Sequence, residues 1–477
     1  MNAILKKDKE QINLIFDDAI KESLDYLKNI ETTATSKSNK TIKSEPLTNE
    51  GLGAQKTLQK FIENYKPIIV ASSGPRYWGF VTGGSTPASI VGDWLASVYD
   101  QNTQAISGHG DNSAQIEINT INLLLELFQL PKTFIGGFVT GATMSNFTCL
   151  AVARQWLGKK LGTDIAKEGF SKAKPIKIYS ATPHASALKS LAMLGFGSKN
   201  IIPIKTIDTS REALDVDDLE LKIKAHKQTP FILISSAGTV NSGDFDDFSK
   251  IAELKTKYDF WWHIDAAFGA FASCSPKYIH LLKEWEQADS ITTDNHKWLN
   301  VPYENATFFI KEKHKELHVN TFQNSNAPYL GDIFKNFNYL NLLPENSRRL
   351  KALPVWFTLN AYGKKGYMDI VENNIRLAGV FGTLISESKS FKLLTPVKFN
   401  IVAFTLKATD KASIDKFLST LSNRGNVFIT PTVFNGRNGF RAAFVNWRTT
   451  LKDVQMALKE METVLTLLKN DSPSSID

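Results

Sequence analysis

HIDAAFGAF (263–271) and TTDNHKWLN (292–300) are the two stretches on which the reading of this chain turns. Each follows a short run with strand character, 260–265 and 290–294, and each run gives way to a polar group. The first ends on Asp265, and the second leads within a few residues to Lys297. In an open α/β sheet, ligands bind outside the carboxyl ends of the strands, which is where both side chains would then lie.

Working outward, residues 65–345 alternate strand-like and helix-like segments. The other strand candidates are 133–140, 176–180 and 231–235, with helices expected over 184–194, 216–227 and 247–257. That rhythm predicts an α/β domain with a mainly parallel sheet covered by helices on both faces. The pattern changes after Pro354. Helices over about 355–362 and 368–386, strands at 400–407, 427–434 and 438–445, and a closing helix over 451–468 predict a smaller α+β domain. At the other end, Ile12, Phe16, Ile20, Leu24 and Leu27 recur at helical spacing within 1–30, and 31–50 reads as a Ser/Thr/Lys-rich linker. The expected division is 1–64 for the helical segment and linker, 65–350 for the large domain and 351–477 for the small one. The tail 471–477 is expected to be disordered.

The length of 477 residues supports two or three domains at about 150 residues each. The net charge of +8 and pI near 9.1 would permit anionic partners. The basic residues are dispersed among 48 acidic ones, however, and no aromatic–basic stripe appears, so no nucleic acid is expected. Cys149 and Cys274 lack metal-ligand spacing and read as free core thiols in a reducing compartment. No metal is expected. Residues 1–10 lack the apolar core of a secretory signal. Residues 133–153 carry no charge over about the length of a membrane span. Their glycines, threonines and asparagine fit a strand running into a buried helix better, so no membrane partner and a cytoplasmic location are expected.

A lysine and a carboxylate at neighbouring strand ends meet the chemical needs of pyridoxal phosphate. The lysine forms a Schiff base with the aldehyde, and the carboxylate keeps the pyridine nitrogen protonated. An opposite charge at close range favours such a charged form by about 1.5–4 kcal/mol. Further motifs accompany this pair: PRYWGFVTGGSTPASIVGDWLAS (75–97), GFVTGATMSNFTCLAVAR (137–154), PHAS (183–186), AGTVNSGDFD (237–246) and FRAAFVNWRTT (440–450). Over about 65–465 the chain resembles the group II pyridoxal-phosphate-dependent decarboxylases, the family of aromatic amino acid and glutamate decarboxylases. The resemblance implies the fold-type I architecture of aspartate aminotransferase, with a large-domain sheet of the seven-stranded type. It also implies a homodimer with sites at the subunit interface and the N-terminal helix packed on the partner chain. The implied activity is that of a carboxy-lyase, releasing carbon dioxide and an amine from an L-amino acid through Lys297.

Residue by residue, Gly141, Ala142 and Thr143 resemble the family's phosphate cradle, and a small-residue turn opening a helix suits a dianion. His296 resembles its second phosphate contact. Ala267 would pack on one ring face, Thr239 would lie beside the cofactor, and Asp265 would pair with the ring nitrogen. His184 resembles the histidine that stacks on the ring and relays a proton, a place where many transaminases of this fold carry an aromatic residue. Tyr329, in APYL, resembles the mobile-loop tyrosine that reprotonates Cα. Arg441 matches the arginine that orients the substrate α-carboxylate.

The chain also departs from the pattern. Glutamate decarboxylases read Asn-Gln where this sequence has Gly79-Phe80 after Trp78. Trp78 and Phe80 are therefore expected to form an apolar substrate pocket. Asp111 stands where the family shows proline ahead of its glutamate, here Glu117, and Asn295 replaces proline or alanine beside the His-Lys pair. The alternatives left open are a transaminase or decarboxylating aldehyde synthase on the same fold, or a relative without catalysis.

Overall fold

The structure is a computed structural model that describes residues 2–38, 41–106, 110–170, 176–227, 229–323, 337–407 and 410–470. The expectations for Tyr329 and for the tail 471–477 lie outside the described residues.

Seven strands form the large sheet: β1 (Phe134–Val139), β2 (Ile178–Ser180), β3 (Ile201–Pro203), β4 (Phe231–Ser236), β5 (Phe260–Asp265), β6 (Ser290–Thr293) and β7 (Ala306–Lys311). Their order is β1-β7-β6-β5-β4-β2-β3, and only β7 runs against the rest. Every residue of β4 and β5 is buried. Alternate side chains feed two cores, Leu233, Trp262 and Ile264 on one face and Ile232, Ile234 and Trp261 on the other. A strand buried on both faces needs apolar residues at nearly every position, which is why these runs do not alternate.

The N-terminal segment holds three helices where one was expected. α1 (Ala3–Glu10) and α2 (Ile12–Asn29) are split at Gln11, whose φ of −103° and ψ of 18° leave the helical region, and α3 (Ala54–Asn64) follows the linker. Next come α4 (Pro87–Tyr99), α5 (Ala114–Leu127) and α6 (Ala142–Lys160). The uncharged stretch 133–153 thus comprises β1 and the buried start of α6. No helix among the described residues is long and apolar enough to cross a membrane.

The two helices expected after Pro354 are joined in one element, Ala352–Glu387, broken only in backbone angle at Gly363, whose φ is 59°. Its first half packs in the large core and its second half, through Leu377, Phe381 and Ile385, in the small one. The small sheet is antiparallel, ordered β10-β11-β9-β8: β8 (Phe391–Leu393), β9 (Ile401–Leu406), β10 (Thr430–Phe434) and β11 (Arg437–Ala443). The helix Leu451–Asn470 closes the described chain.

Candidate active site

The carboxyl ends of β2, β4, β5 and β6 open onto a cavity of about 340 Å³ lined by residues that include His184, Glu212, Thr239, Asp265, Ala267, Phe268, Lys297 and Arg441. Six side chains expected from sequence, His184, Thr239, Asp265, Ala267, Lys297 and Arg441, therefore share one space. Lys297 sits on the short helix Asn295–Trp298 just after β6. Its Nζ lies 3.6 Å from Asp294 Oδ2 and 5.6 Å from the centroid of the Phe268 ring.

Asp265 terminates a directional chain of hydrogen bonds. Trp261 Nε1 donates to Ser290 Oγ at 2.9 Å, and Ser290 Oγ lies 2.9 Å from His263 Nδ1. His263 Nε2 lies 2.8 Å from Asn146 Oδ1, and Asn146 Nδ2 donates to Asp265 Oδ2 at 3.0 Å. Complete burial pushes His263 down to about 4, so its ring is neutral with one proton to give. That proton goes to Asn146, whose amide is thereby turned with its donor toward Asp265. Ala267 N donates to the other oxygen at 3.2 Å. Every contact to this carboxylate is a donor, which suits its ionised form.

His184 belongs to the same network. Ser186 N donates to its Nδ1 at 3.2 Å, and Ser186 Oγ lies 2.7 Å from that nitrogen. Ser186 Oγ also accepts from Asn146 Nδ2 at 3.1 Å. Burial lowers the His184 pKa, Asp265 opposes that effect, and Lys297 and Arg441 reinforce it. The neutral ring accepts at Nδ1 and carries its proton on Nε2.

Arg441, on β11 opposite Thr430 and Ala403, brings the small sheet to the cavity. One terminal nitrogen donates to Val240 O at 3.3 Å, while its buried Nε has no partner among the described residues. Burial lowers its pKa and nearby Glu212 pulls it back up. A buried Nε–H without an acceptor is costly unless one, such as a carboxylate, completes it.

Gly141 precedes α6, and among the described residues no side chain caps this 19-residue helix. Its first N–H groups are free for an anion. A Cβ placed on Gly141 would stand 3.7 Å from His296 Cε1, so the imidazole borders the same turn. His296 Nδ1 lies 2.9 Å from Asp294 Oδ1 and 3.2 Å from Asn305 O, and its ring packs on Tyr303. Ala142 and Thr143 form the first turn of α6. A carboxylate and a lysine lining one cavity fit the ring nitrogen and aldehyde of pyridoxal phosphate. The uncapped helix start bordering His296 fits its phosphate, although Ala142, Thr143 and His296 are not among the residues that line that cavity. Among the described residues no cluster of potential metal ligands occurs.

The expectation that Trp78 forms part of the substrate pocket is corrected. Trp78 is 1% exposed and packs on Phe381 and Phe444 in the small-domain core. The reason is local pairing: Trp78 N donates to Phe428 O at 2.8 Å and Ala443 N to Trp78 O at 2.9 Å, so this segment joins the small domain. Phe80 is 61% exposed, rests 5.8 Å from the Phe428 ring and does not line the cavity.

The departures from the family pattern are structural. Glu117 is buried and accepts from Arg348 at 2.6 Å and from Phe138 N at 3.0 Å. Asp111 accepts from Ser113 N at 2.7 Å, and Asn295 donates to Asn305 Oδ1 and Thr307 Oγ1, binding the lysine segment to β7. Sequence reasoning missed Asn146, Ser186, Glu212 and Ser242. The available signal for Asn146 was an amide within a helix otherwise suited to complete burial.

A family model described as the pyridoxal-dependent decarboxylase conserved domain matches residues 39–407. An aromatic-L-amino-acid decarboxylase from Bacillus atrophaeus is 28% identical, over 97% of this chain and 97% of its own length. A phenylacetaldehyde synthase from Petunia hybrida is 24% identical, over 87% and 85%. The crystal structure of Oryza sativa TDC with PLP and tryptamine matches with a TM-score of 0.87 at 20% identity, covering 96% of this chain and 98% of that one, a likeness of fold.

Proposed function

This chain belongs to the pyridoxal-dependent decarboxylase family, and on that premise we propose that it converts an L-amino acid with an apolar or aromatic side chain into its amine and carbon dioxide. Its cofactor is pyridoxal phosphate and its fold is the fold-type I architecture of these carboxy-lyases. The observation that carries the proposal is Arg441, a half-buried arginine whose buried Nε has no partner among the described residues, in the same cavity as Lys297, Asp265 and His184. The aromatic preference is supported by the Bacillus atrophaeus relative and by the Phe268, Val240 and Pro183 side chains of the lining.

Bound in this cavity, the cofactor supplies the electron sink for the bond that breaks at Cα. Lys297 would hold its aldehyde carbon, Asp265 its ring nitrogen, the start of α6 with Ala142, Thr143 and His296 its phosphate, and Ala267 and Thr239 would border its ring. Arg441 would take the α-carboxylate and fix its orientation for the bond that breaks. That grip raises the rate only so far as it favours the departing geometry over the ground state. His184 Nε2–H returns a proton to Cα, with Tyr329, which lies outside the described residues, proposed as the second donor. One proton is consumed for each carbon dioxide released.

The proposed assembly is a homodimer. On α2, Ile12, Phe16, Ile20 and Leu24 stay exposed, and on α4 so do Val91, Trp94, Val98 and Tyr99. So many large apolar groups on neighbouring helices suit burial against a second copy. A cytoplasmic location is proposed from the unpaired Cys149 and Cys274.

The test is product analysis with purified protein, pyridoxal phosphate and a panel of L-amino acids. Amine and carbon dioxide in equal amounts support the proposal. A keto acid or aldehyde as main product contradicts it and selects the transaminase or aldehyde-synthase alternative.

A further inference from the structure

Glu212 lies shortly before the helix Val216–Ala225 and lines the cavity, yet none of the roles above uses it. Its carboxylate receives three hydrogen bonds, all from donors. Asn241 Nδ2 donates to Oε1 at 2.9 Å, and Ser242 N and Oγ donate to Oε2 at 3.1 and 2.8 Å. The amide of Asn241 is oriented by Thr432 Oγ1 of the small sheet, which donates to its Oδ1 at 2.7 Å.

The next bond has its direction set by elimination. Ser242 has one hydroxyl proton, and that proton goes to Glu212, because an ionised carboxylate has none to offer. The 2.9 Å contact between Ser242 Oγ and Thr239 Oγ1 then has Thr239 as its donor. Thr239 Oγ1 also accepts from Asp244 N at 3.0 Å. With its proton committed to Ser242 and one lone pair to Asp244, Thr239 keeps a single acceptor site for the cavity.

We infer that Glu212 is a positioning residue which, through Ser242, holds the Thr239 hydroxyl as a hydrogen-bond acceptor, so that a cavity group meeting Thr239 must bring the proton. This rests on the cofactor reading above. There the phosphate, ring nitrogen and aldehyde are assigned to α6, Asp265 and Lys297, which leaves the ring hydroxyl for Thr239. An acceptor beside that hydroxyl favours its protonated form, whereas a donor favours the oxyanion. The two forms differ in absorption, the oxyanion lying further toward the visible.

The experiment compares absorption spectra of the holoenzyme at one pH. Ser242→Ala removes the acceptor for Thr239, and Glu212→Leu removes the acceptor for Ser242. Either change frees a proton for the cavity, so the ratio of visible to near-ultraviolet bands rises about three- to tenfold, as for one hydrogen bond. Glu212→Gln keeps an oxygen for Ser242 while Asn241 turns its amide over, so the ratio stays within about twofold of wild type. That variant separates bond direction from charge, and Ser242→Ala carries the test if Glu212→Leu fails to fold. Equal ratios in all four proteins, or a Gln variant that follows Leu, overturn the inference and leave the cofactor reading standing. A wild-type protein that takes up no chromophore overturns both.

Discussion

Ser186 fixes which nitrogen of His184 carries the proton: its N–H and its hydroxyl both meet Nδ1, at 3.2 and 2.7 Å. A backbone N–H can only donate, so Nδ1 accepts and Nε2–H is the side available for chemistry. Asn146 touches both Ser186 and Asp265, which lets one amide align the proposed proton donor and the carboxylate proposed for the ring nitrogen.

Ser186→Ala therefore lowers kcat about tenfold with little change in KM, since it loosens a tautomer without removing a substrate contact. His184→Gln lowers kcat about 10²–10⁴-fold, the usual span for a general acid. Steady-state kinetics on both variants checks the order. A Ser186→Ala effect confined to KM contradicts the assignment.

Arg441→Gln removes the charge proposed to hold the substrate carboxylate. Hydrogen bonds to charged groups are worth about 1.5–3 kcal/mol, so kcat/KM falls about 10–150-fold. Arg441→Lys recovers only part of this, because an ammonium cannot reproduce the planar fork. Equal activity in the Gln variant removes the proposed carboxylate site.

Stability rises with pH between about 4 and 6.5. Burial pushes His263 and His318 down to about 4, so in this window the unfolded chain binds two protons that the folded chain does not. Asp246 acts with the opposite sign, because burial pushes it up to about 7 and the folded chain holds its proton. Two against one leaves a slope approaching about 1.4 kcal/mol per pH unit near pH 5 and smaller toward either end, and His184, also lowered by burial, adds to it with the same sign. Denaturant unfolding from pH 4.5 to 6.5 measures it. A flat or falling profile contradicts the burial of the two imidazoles as neutral rings.

Phe16→Asp with Leu24→Asp places two charges on the exposed stripe of α2. Sedimentation equilibrium is expected to give a dimer for wild type and a monomer for the double variant. An unchanged dimer would place the interface elsewhere.

Much of this was legible from β5 and β6, where buried strands end on the residues that matter. β7 was missed because it returns antiparallel beside β6 across only the four-residue helix Asn295–Trp298, and β3 because this short edge strand is incompletely buried and ends on Pro203. Trp78 was misassigned because its neighbours in sequence belong to the large domain, whereas its backbone pairs with Phe428 and Ala443 of the small one. Asn146, Ser186, Glu212 and Ser242 act through partners far away in sequence, so their roles appear only once the fold has assembled the network.

The most direct test of the central claim is reduction of the holoenzyme with borohydride, followed by peptide mapping. The account predicts a stable pyridoxyl adduct on Lys297 alone, absent from Lys297→Ala. An adduct on another lysine, or none after incubation with pyridoxal phosphate, would contradict it.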